Sequence, residues 1–125
     1  MIKLQKEFPL LKQYKKVFEV NDKTVFAYGE DIYTNYELSV DLLAHEIIHL
    51  KQQAERGLDV WVKTYLDIPQ FRLEMELEAY RHQLLYFKDR NERARMRILF
   101  AKQLSSNLYG NIIELDKAIE LLWKK

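Results

Sequence analysis

The sequence predicts an α+β fold, in which a short antiparallel β-meander precedes a series of helices. Two observations support this prediction. Between about residues 16 and 34, short runs of β-branched and aromatic residues alternate with turn residues. From about residue 40 onward, apolar residues recur at steps of three and four, which is the period of an amphipathic helix.

The meander is predicted to contain three strands, at residues 17–20, 24–28 and 32–34. The intervening segments 21–23 and 29–31 contain asparagine, aspartate and glycine, which favour turns. The predicted sheet is therefore small and antiparallel, and it lies entirely before the first long helix.

The first long helix is predicted from about residue 40 to residue 56. Ser39 suits the N-cap, and Asp41 lies in the first turn, where the helix dipole favours a negative charge. Gly57 suits the C-terminal stop, because glycine readily adopts the backbone angles that end a helix.

Four further helices follow, at about residues 59–66, 70–89, 91–104 and 111–123, with Pro69 separating the first two. The second of these has one continuous apolar stripe, consisting of Leu73, Leu77, Tyr80, Leu84 and Phe87. No residue pattern divides the chain, so a single domain is expected over residues 1–125.

Composition excludes several classes of protein. The chain has 125 residues and 48% hydrophobic content, which suffices for one compact core. Its formal net charge of +1 provides no overall field to attract nucleic acid or an anionic membrane. Cysteine is absent, so disulfides, thiol catalysis and thiolate metal sites are excluded. No apolar run suits a secretory signal or a membrane span, and a cytoplasmic location is expected.

One pentapeptide, His45-Glu46-Ile47-Ile48-His49, indicates the chemistry. Only 3 histidines occur in the chain, and two of them fall within these five positions. On a helix the two imidazoles lie one turn apart with a carboxylate beside them, which is an arrangement that holds Zn²⁺ and activates a water molecule. The pattern therefore predicts a metal-dependent hydrolase.

The helical wheel separates two faces of this helix. His45, His49 and Glu46 face one cleft, with Gln53 further along the same side. Four apolar residues gather on the far side and are predicted to pack against the core: Leu43, Ile47, Leu50 and Ala54.

A catalytic zinc site usually has three protein ligands, so a third ligand must come from another element. The acidic run Glu74, Glu76 and Glu78 on the next long helix is its expected source. Relative to the apolar stripe of that helix, Glu76 lies best placed at the rim of the core, and Glu78 is the second candidate.

These residues together resemble the compact gluzincin-type zincin metallopeptidases, including small phage and bacterial members. The resemblance covers roughly residues 16–87. It implies a zincin-like fold whose edge strand lines the cleft for a peptide or protein substrate. It also implies Zn²⁺ as the cofactor, with His45, His49 and Glu76 as ligands and Glu46 as the catalytic base. Many gluzincins have aspartate four residues after the glutamate ligand, where this chain has Tyr80.

In such a site Glu46 would take a proton from the attacking water and return it to the leaving amine. One more hydrogen-bond donor is usually needed to stabilise the charge that develops on the substrate oxygen. The candidates for this role are Tyr80, Tyr65, Arg81 and His82. Tyr80, which lies beside Glu76 on the stripe, is expected to pack against the site and hold it in place.

Two other functions are compatible with the same residues. A zincin-like module could have kept its fold and act only by binding a partner. Alternatively, Glu46 and His49 match one metal-binding unit of a di-iron helical protein, which needs a second such unit; the nearest, Glu78 and His82, has the wrong spacing. The basic segment 88–102 is interpreted as a solvated helix face, so a nucleic-acid partner is not expected.

Overall fold

The computed structural model describes residues 1–123 of the chain. The N-terminal part contains strand β1 (Ile2–Lys3), a 3-10 helix (Gln5–Glu7) and the short helix α1 (Leu11–Lys15). Strands β2 (Phe26–Tyr28) and β3 (Asp31–Tyr33) follow.

The three strands form a mixed sheet in the order β1-β3-β2. Strand β1 runs parallel to β3, with Ile2 opposite Ile32, and β2 runs antiparallel to β3, with Phe26 opposite Tyr33. The hairpin turn between β2 and β3 contains Gly29 at a φ of 69°, which a residue with a side chain rarely adopts.

The predicted antiparallel meander is therefore only partly right. The strand predicted at 24–28 is confirmed in shortened form, and the strand predicted at 32–34 is confirmed one residue earlier in the chain, but residues 17–20 are not a strand. Phe18 there closes the last turn of α1 by donating its N–H to the Tyr14 carbonyl, and its side chain is buried. The third strand comes instead from Ile2–Lys3, which is too short to show any periodicity.

Five longer helices make up most of the remaining chain, and they are α2 (Val40–Arg56), α3 (Leu58–Asp67), α4 (Pro69–Leu84), α5 (Arg90–Leu104) and α6 (Leu115–Trp123). A second 3-10 helix (Asn107–Tyr109) lies in the connection before α6. Helix α2 has the predicted bounds, and α4 and α6 are each several residues shorter than predicted.

The ends of α2 follow the prediction in position. Ser39 is the N-cap residue, although its side chain makes no capping hydrogen bond. Gly57 has a φ of 93°, ends α2 and leads directly into α3. This tight link lets α3 fold back beside the C-terminal half of α2.

Two apolar cores flank the long helices. The aromatic core joins the sheet, α1 and α3, and its buried members include Phe8, Tyr14, Phe18, Phe26, Tyr33, Trp61 and Tyr65. The aliphatic core joins α4, α5 and α6, and its buried members include Leu73, Leu77, Leu84, Phe100, Ala101, Leu104, Ala118 and Leu122. The α2–α4 interface lies beside both cores.

Helix α2 is tied to the edge of the sheet by one buried amide. Gln53 donates from Nε2 to the Ala27 carbonyl at 2.8 Å and accepts at Oε1 from the Gly29 N–H at 2.8 Å. Among residues 1–123, no helix is both long enough and apolar enough to cross a bilayer.

Candidate metal centre

The buried face of α2 is polar. Its buried residues are Ala44, His45, Glu46, His49, Gln52 and Gln53. The prediction that the apolar face of α2 packs against the core is wrong. Ile47 is 43% exposed and Ala54 is exposed. The other two residues of that face, Leu43 and Leu50, are only half-buried. Tertiary contacts reverse the simple amphipathic rule here, since the polar side chains find hydrogen-bond partners on α4 and β2.

His45, His49 and Glu76 come together at the centre of this face. The distance from His45 Nε2 to Glu76 Oε1 is 3.1 Å, and that from His49 Nε2 to Glu76 Oε2 is also 3.1 Å. One potential ligand atom from each residue lies within 4.8 Å of the other two. All three side chains are buried, so this is a group that can hold a metal ion.

The outer nitrogen of each histidine contacts a glutamine carbonyl. His45 Nδ1 lies 2.9 Å from Gln83 Oε1, and His49 Nδ1 lies 2.9 Å from Gln52 Oε1. Both glutamines are buried. Because a carbonyl oxygen only accepts, each Nδ1 carries the hydrogen and each Nε2 is directed at Glu76.

This arrangement requires a cation. Without one, the lone pair of each Nε2 would face a carboxylate oxygen at 3.1 Å, acceptor against acceptor. A proton on the imidazole or a metal ion between the groups removes this conflict. The donor set of two imidazole nitrogens and one carboxylate is one that Zn²⁺ accepts in catalytic sites.

The pKa shifts of His49 and Glu76 in the metal-free protein also indicate a positive charge at this position. Burial by itself lowers the pKa of His49, but the Glu76 carboxylate outweighs burial and raises that pKa to about 9. Burial opposes ionisation of Glu76, yet His49 and His45 hold the pKa of Glu76 well below its usual range. At neutral pH the site therefore contains a carboxylate paired with an imidazolium.

Glu46 lies beside this group on the wall of a cavity of about 360 Å³. Burial raises the pKa of Glu46, His45 and His49 oppose that effect, and Glu76 adds to it. Within residues 1–123 its carboxylate accepts no hydrogen bond, so it is free to interact with a molecule in the cavity.

Aromatic side chains form one large part of the wall of the same cavity. Its lining includes His45, His49 and Glu76, together with Val25 and Ala27 at the sheet edge. Its aromatic wall is formed by Tyr14, Phe18, Phe26, Tyr36, Trp61, Tyr65, Tyr80 and Tyr109. The candidate metal centre is thus reached through an apolar cleft bounded by strand β2.

Tyr65 and Tyr80 support the site from two sides. Tyr65 donates its hydroxyl hydrogen to Glu76 Oε2 at 2.6 Å. The Tyr80 ring packs edge-on against the His45 ring, with 4.5 Å between centroids. Its hydroxyl donates to Gln103 Oε1 at 3.1 Å and lies 2.7 Å from the Tyr109 hydroxyl. Tyr80 therefore occupies the supporting position expected of it, whereas its part in catalysis stays a prediction.

The other predicted residues lie outside the group. Glu74 and Glu78 are exposed, and Glu78 accepts a hydrogen bond from Gln52 rather than facing the histidines. Arg81 donates to the Leu121 carbonyl on α6, and His82 is exposed. Of the three glutamates on α4, the structure places only Glu76 within reach of both histidines.

Sequence reasoning missed Gln52, Gln83 and Tyr109. Gln52 follows His49 by three residues on the same helix, a spacing that allows side-chain contact and was available as a signal. Gln83 and Tyr109 reach the site from distant parts of the chain, and no local pattern marks them. Gln53 lies on the same side of α2 as the histidines, as the helical wheel predicts, and it binds the sheet edge.

The chain matches no protein-family model, and searches of the curated proteins and of the solved structures found no similar protein. The resemblance to gluzincins therefore rests on the residues of the site and their geometry alone.

Proposed function

We propose that this protein is a zinc-dependent metallopeptidase. One observation carries the proposal: two buried imidazoles and a buried carboxylate converge beside Glu46 on the wall of a cavity. This is the spatial relation that metal-assisted hydrolysis needs, with a ligand set, a neighbouring base and room for a substrate.

Zinc is the metal that best fits the donors. Nitrogen and oxygen ligands from three residues leave positions open for water and substrate. A zinc ion held by His45, His49 and Glu76 would act as a Lewis acid that polarises a peptide carbonyl and acidifies a water molecule.

Glu46 provides the proton transfers. Its carboxylate lies in the cavity with a raised pKa, and a base whose pKa approaches the working pH transfers protons most effectively. It takes a proton from water as the water attacks the carbonyl carbon, and it delivers that proton to the leaving amine nitrogen.

The shape of the cleft suits a peptide. Strand β2 lies at one edge of the sheet, and its residues Phe26 and Ala27, with the preceding Val25, line the cavity. An extended peptide lying there would contact the side chains of this strand, because the Ala27 carbonyl is already paired with Gln53. The aromatic wall favours apolar side chains next to the bond that is cut.

The test compares the wild-type chain with Glu46→Gln, both loaded with zinc. We expect one zinc ion per chain in both proteins, and loss of peptide hydrolysis by about 100-fold to 10,000-fold in the variant. Zinc content is measured by atomic absorption, and hydrolysis with a mixture of quenched fluorescent peptides rich in apolar residues.

Glu55→Gln is the matched control, because Glu55 is an exposed glutamate on the same helix. Its activity should equal that of the wild type. Unchanged hydrolysis in Glu46→Gln would contradict the role of Glu46. Stoichiometric zinc without hydrolysis in the wild type would instead favour a binding module that retains the metal.

A further inference from the structure

The two histidines of the metal centre belong to parallel hydrogen-bond chains that end in carboxylates. In the first, His45 contacts Gln83, and Gln83 donates from Nε2 to Asp41 Oδ2 at 2.8 Å. In the second, His49 contacts Gln52, and Gln52 donates from Nε2 to Glu78 Oε1 at 2.6 Å. We call these the His45 relay and the His49 relay.

The carboxylates determine how each glutamine is oriented. A carboxylate oxygen only accepts, so the amide nitrogen of each glutamine must face it. Gln52 is held twice, because its Nε2 also donates to the Met75 carbonyl at 3.1 Å. The amide oxygen is then left to accept from the histidine, which places the hydrogen on Nδ1 and the lone pair on Nε2.

Each relay also crosses the α2–α4 interface. Asp41, His49 and Gln52 lie on α2, whereas Gln83 and Glu78 lie on α4. Gln52 and Gln83 are 2% and 4% exposed, so neither amide can turn around without leaving a buried polar group unpaired. The orientation of both imidazoles therefore depends on groups that do not themselves approach the metal position.

We propose that Gln52 and Gln83, oriented by Glu78 and Asp41, are positioning residues that set the metal affinity of the site by fixing the tautomer of His49 and His45. The inference rests on the metal-binding part of the proposed function and is independent of peptide hydrolysis. It assigns Glu78 a position at the outer end of the His49 relay instead of a place among the ligands.

The test measures zinc dissociation constants by competition with a chromophoric chelator. In Gln52→Leu the leucine fills a similar volume but cannot accept from His49 Nδ1. Loss of such an outer partner typically weakens metal binding by about 10-fold to 100-fold. Glu78→Gln removes the carboxylate that orients Gln52 and should also weaken zinc binding. Its control is Glu74→Gln, which removes the same charge from an exposed position on the same helix and should leave the zinc affinity unchanged.

A charge exchange separates orientation from packing. The exchange is made in the His45 relay, because Gln52 Nε2 also donates to the Met75 carbonyl and a carboxylate at position 52 would face that oxygen. The double variant Gln83→Glu with Asp41→Asn keeps both side-chain sizes and reverses the direction of the outer hydrogen bond. A carboxylate then accepts directly from His45 Nδ1, so zinc affinity should lie within about threefold of the wild-type value or exceed it. In zinc-loaded protein, the exchange-protected Nδ1–H proton of His45 should be visible by NMR in the wild type and in the double variant, and that of His49 should be absent in Gln52→Leu.

Unfolding of the metal-free proteins shows whether each variant is folded. If Gln52→Leu does not fold, Glu78→Gln replaces it and is expected to weaken zinc binding while Glu74→Gln does not. Equal zinc affinity in Gln52→Leu and wild type would overturn the inference, and so would a double variant that binds zinc as weakly as Gln52→Leu. Absence of hydrolysis in a protein that shows the predicted affinities would count against the peptidase proposal alone.

Discussion

Two helix pairs in this protein bury opposite kinds of side chain. The pair α5 and α6 packs through Phe100, Ala101, Leu104, Ala118 and Leu122. The pair α2 and α4 packs through histidine, glutamate and glutamine side chains joined by hydrogen bonds of 2.6 to 3.1 Å. Both interfaces bury their side chains, but only the first gains stability mainly from apolar burial.

The difference shows how a site can be distinguished from a core. Burying a polar group costs free energy unless a partner replaces the lost water, so a polar interface is stable only where most of its groups are paired. In the α2–α4 pair, Glu46 lines the cavity without a hydrogen-bond partner in the described part of the chain, and Glu76 faces two imidazole acceptors, a conflict that a proton or a metal ion must resolve. Apolar burial in the aromatic core and the aliphatic core offsets the free-energy cost of burying these polar groups.

The largest expected effect on stability is in the apolar pair. Leu104 is fully buried, and Leu104→Ala should lower the free energy of unfolding by about 2 to 5 kcal/mol, because it leaves a cavity. Denaturant titration of the metal-free protein measures this loss. The folded variant should bind zinc as the wild type does; a shift of more than tenfold would show that the two pairs are energetically coupled.

In the polar pair, bound zinc should increase the free energy of unfolding. At a free concentration about 100 times its dissociation constant, zinc should stabilise the wild type by about 2.7 kcal/mol. Thermal unfolding with and without a chelator checks this. Glu76→Gln should lose most of the zinc effect, whereas Leu104→Ala should keep it. Equal stabilisation of Glu76→Gln would mean that zinc binds elsewhere.

The polar pair should also respond to pH. The folded-state pKa of His49, about 9, is above the unfolded value of 6.5, so its bound proton stabilises the metal-free fold. This stabilisation is complete below pH 6.5 and is lost as the pH rises through about 9. Urea midpoints between pH 6 and pH 10 measure the loss, which His49→Gln should reduce. A midpoint that is flat over this range would contradict the ion pair with Glu76.

The smallest effect is expected on the outer face of α2. Ile47 is 43% exposed, so Ile47→Gln should change the free energy of unfolding by no more than about 0.5 kcal/mol. If this face entered the core, as its apolar pattern predicts, the loss would be several times larger. The same denaturant titration distinguishes the two placements.

Local signals in the sequence were sufficient for most of the helical framework. The bounds of α2 lie at Ser39 and Gly57 as predicted, although Ser39 makes no capping hydrogen bond, and the histidine pair within the helix depends only on helical spacing. The choice of Glu76 over its neighbours was correct in position because the apolar stripe of α4 defined a buried direction. The stripe enters the aliphatic core, and Glu76 lies at its rim.

Contacts between distant residues were not predictable in the same way. The parallel pairing of Ile2–Lys3 with β3 joins segments about 30 residues apart, and two residues carry no period. The apolar pattern of α2 predicted the wrong buried face, because apolar spacing alone does not show that polar groups have partners. Gln83 could not be assigned to His45 from spacing, since their contact spans 38 positions.

The sequence by itself determined where the helices lie and which side chains carry the chemistry, since both depend on interactions within a few turns of the chain. Only the tertiary structure decided which face of α2 is buried, which amides orient the histidines and that their Nε2 atoms meet one carboxylate. The physical reason is that a buried polar group is stable only with a complete set of partners. In this protein many of those partners come from another helix or from the sheet.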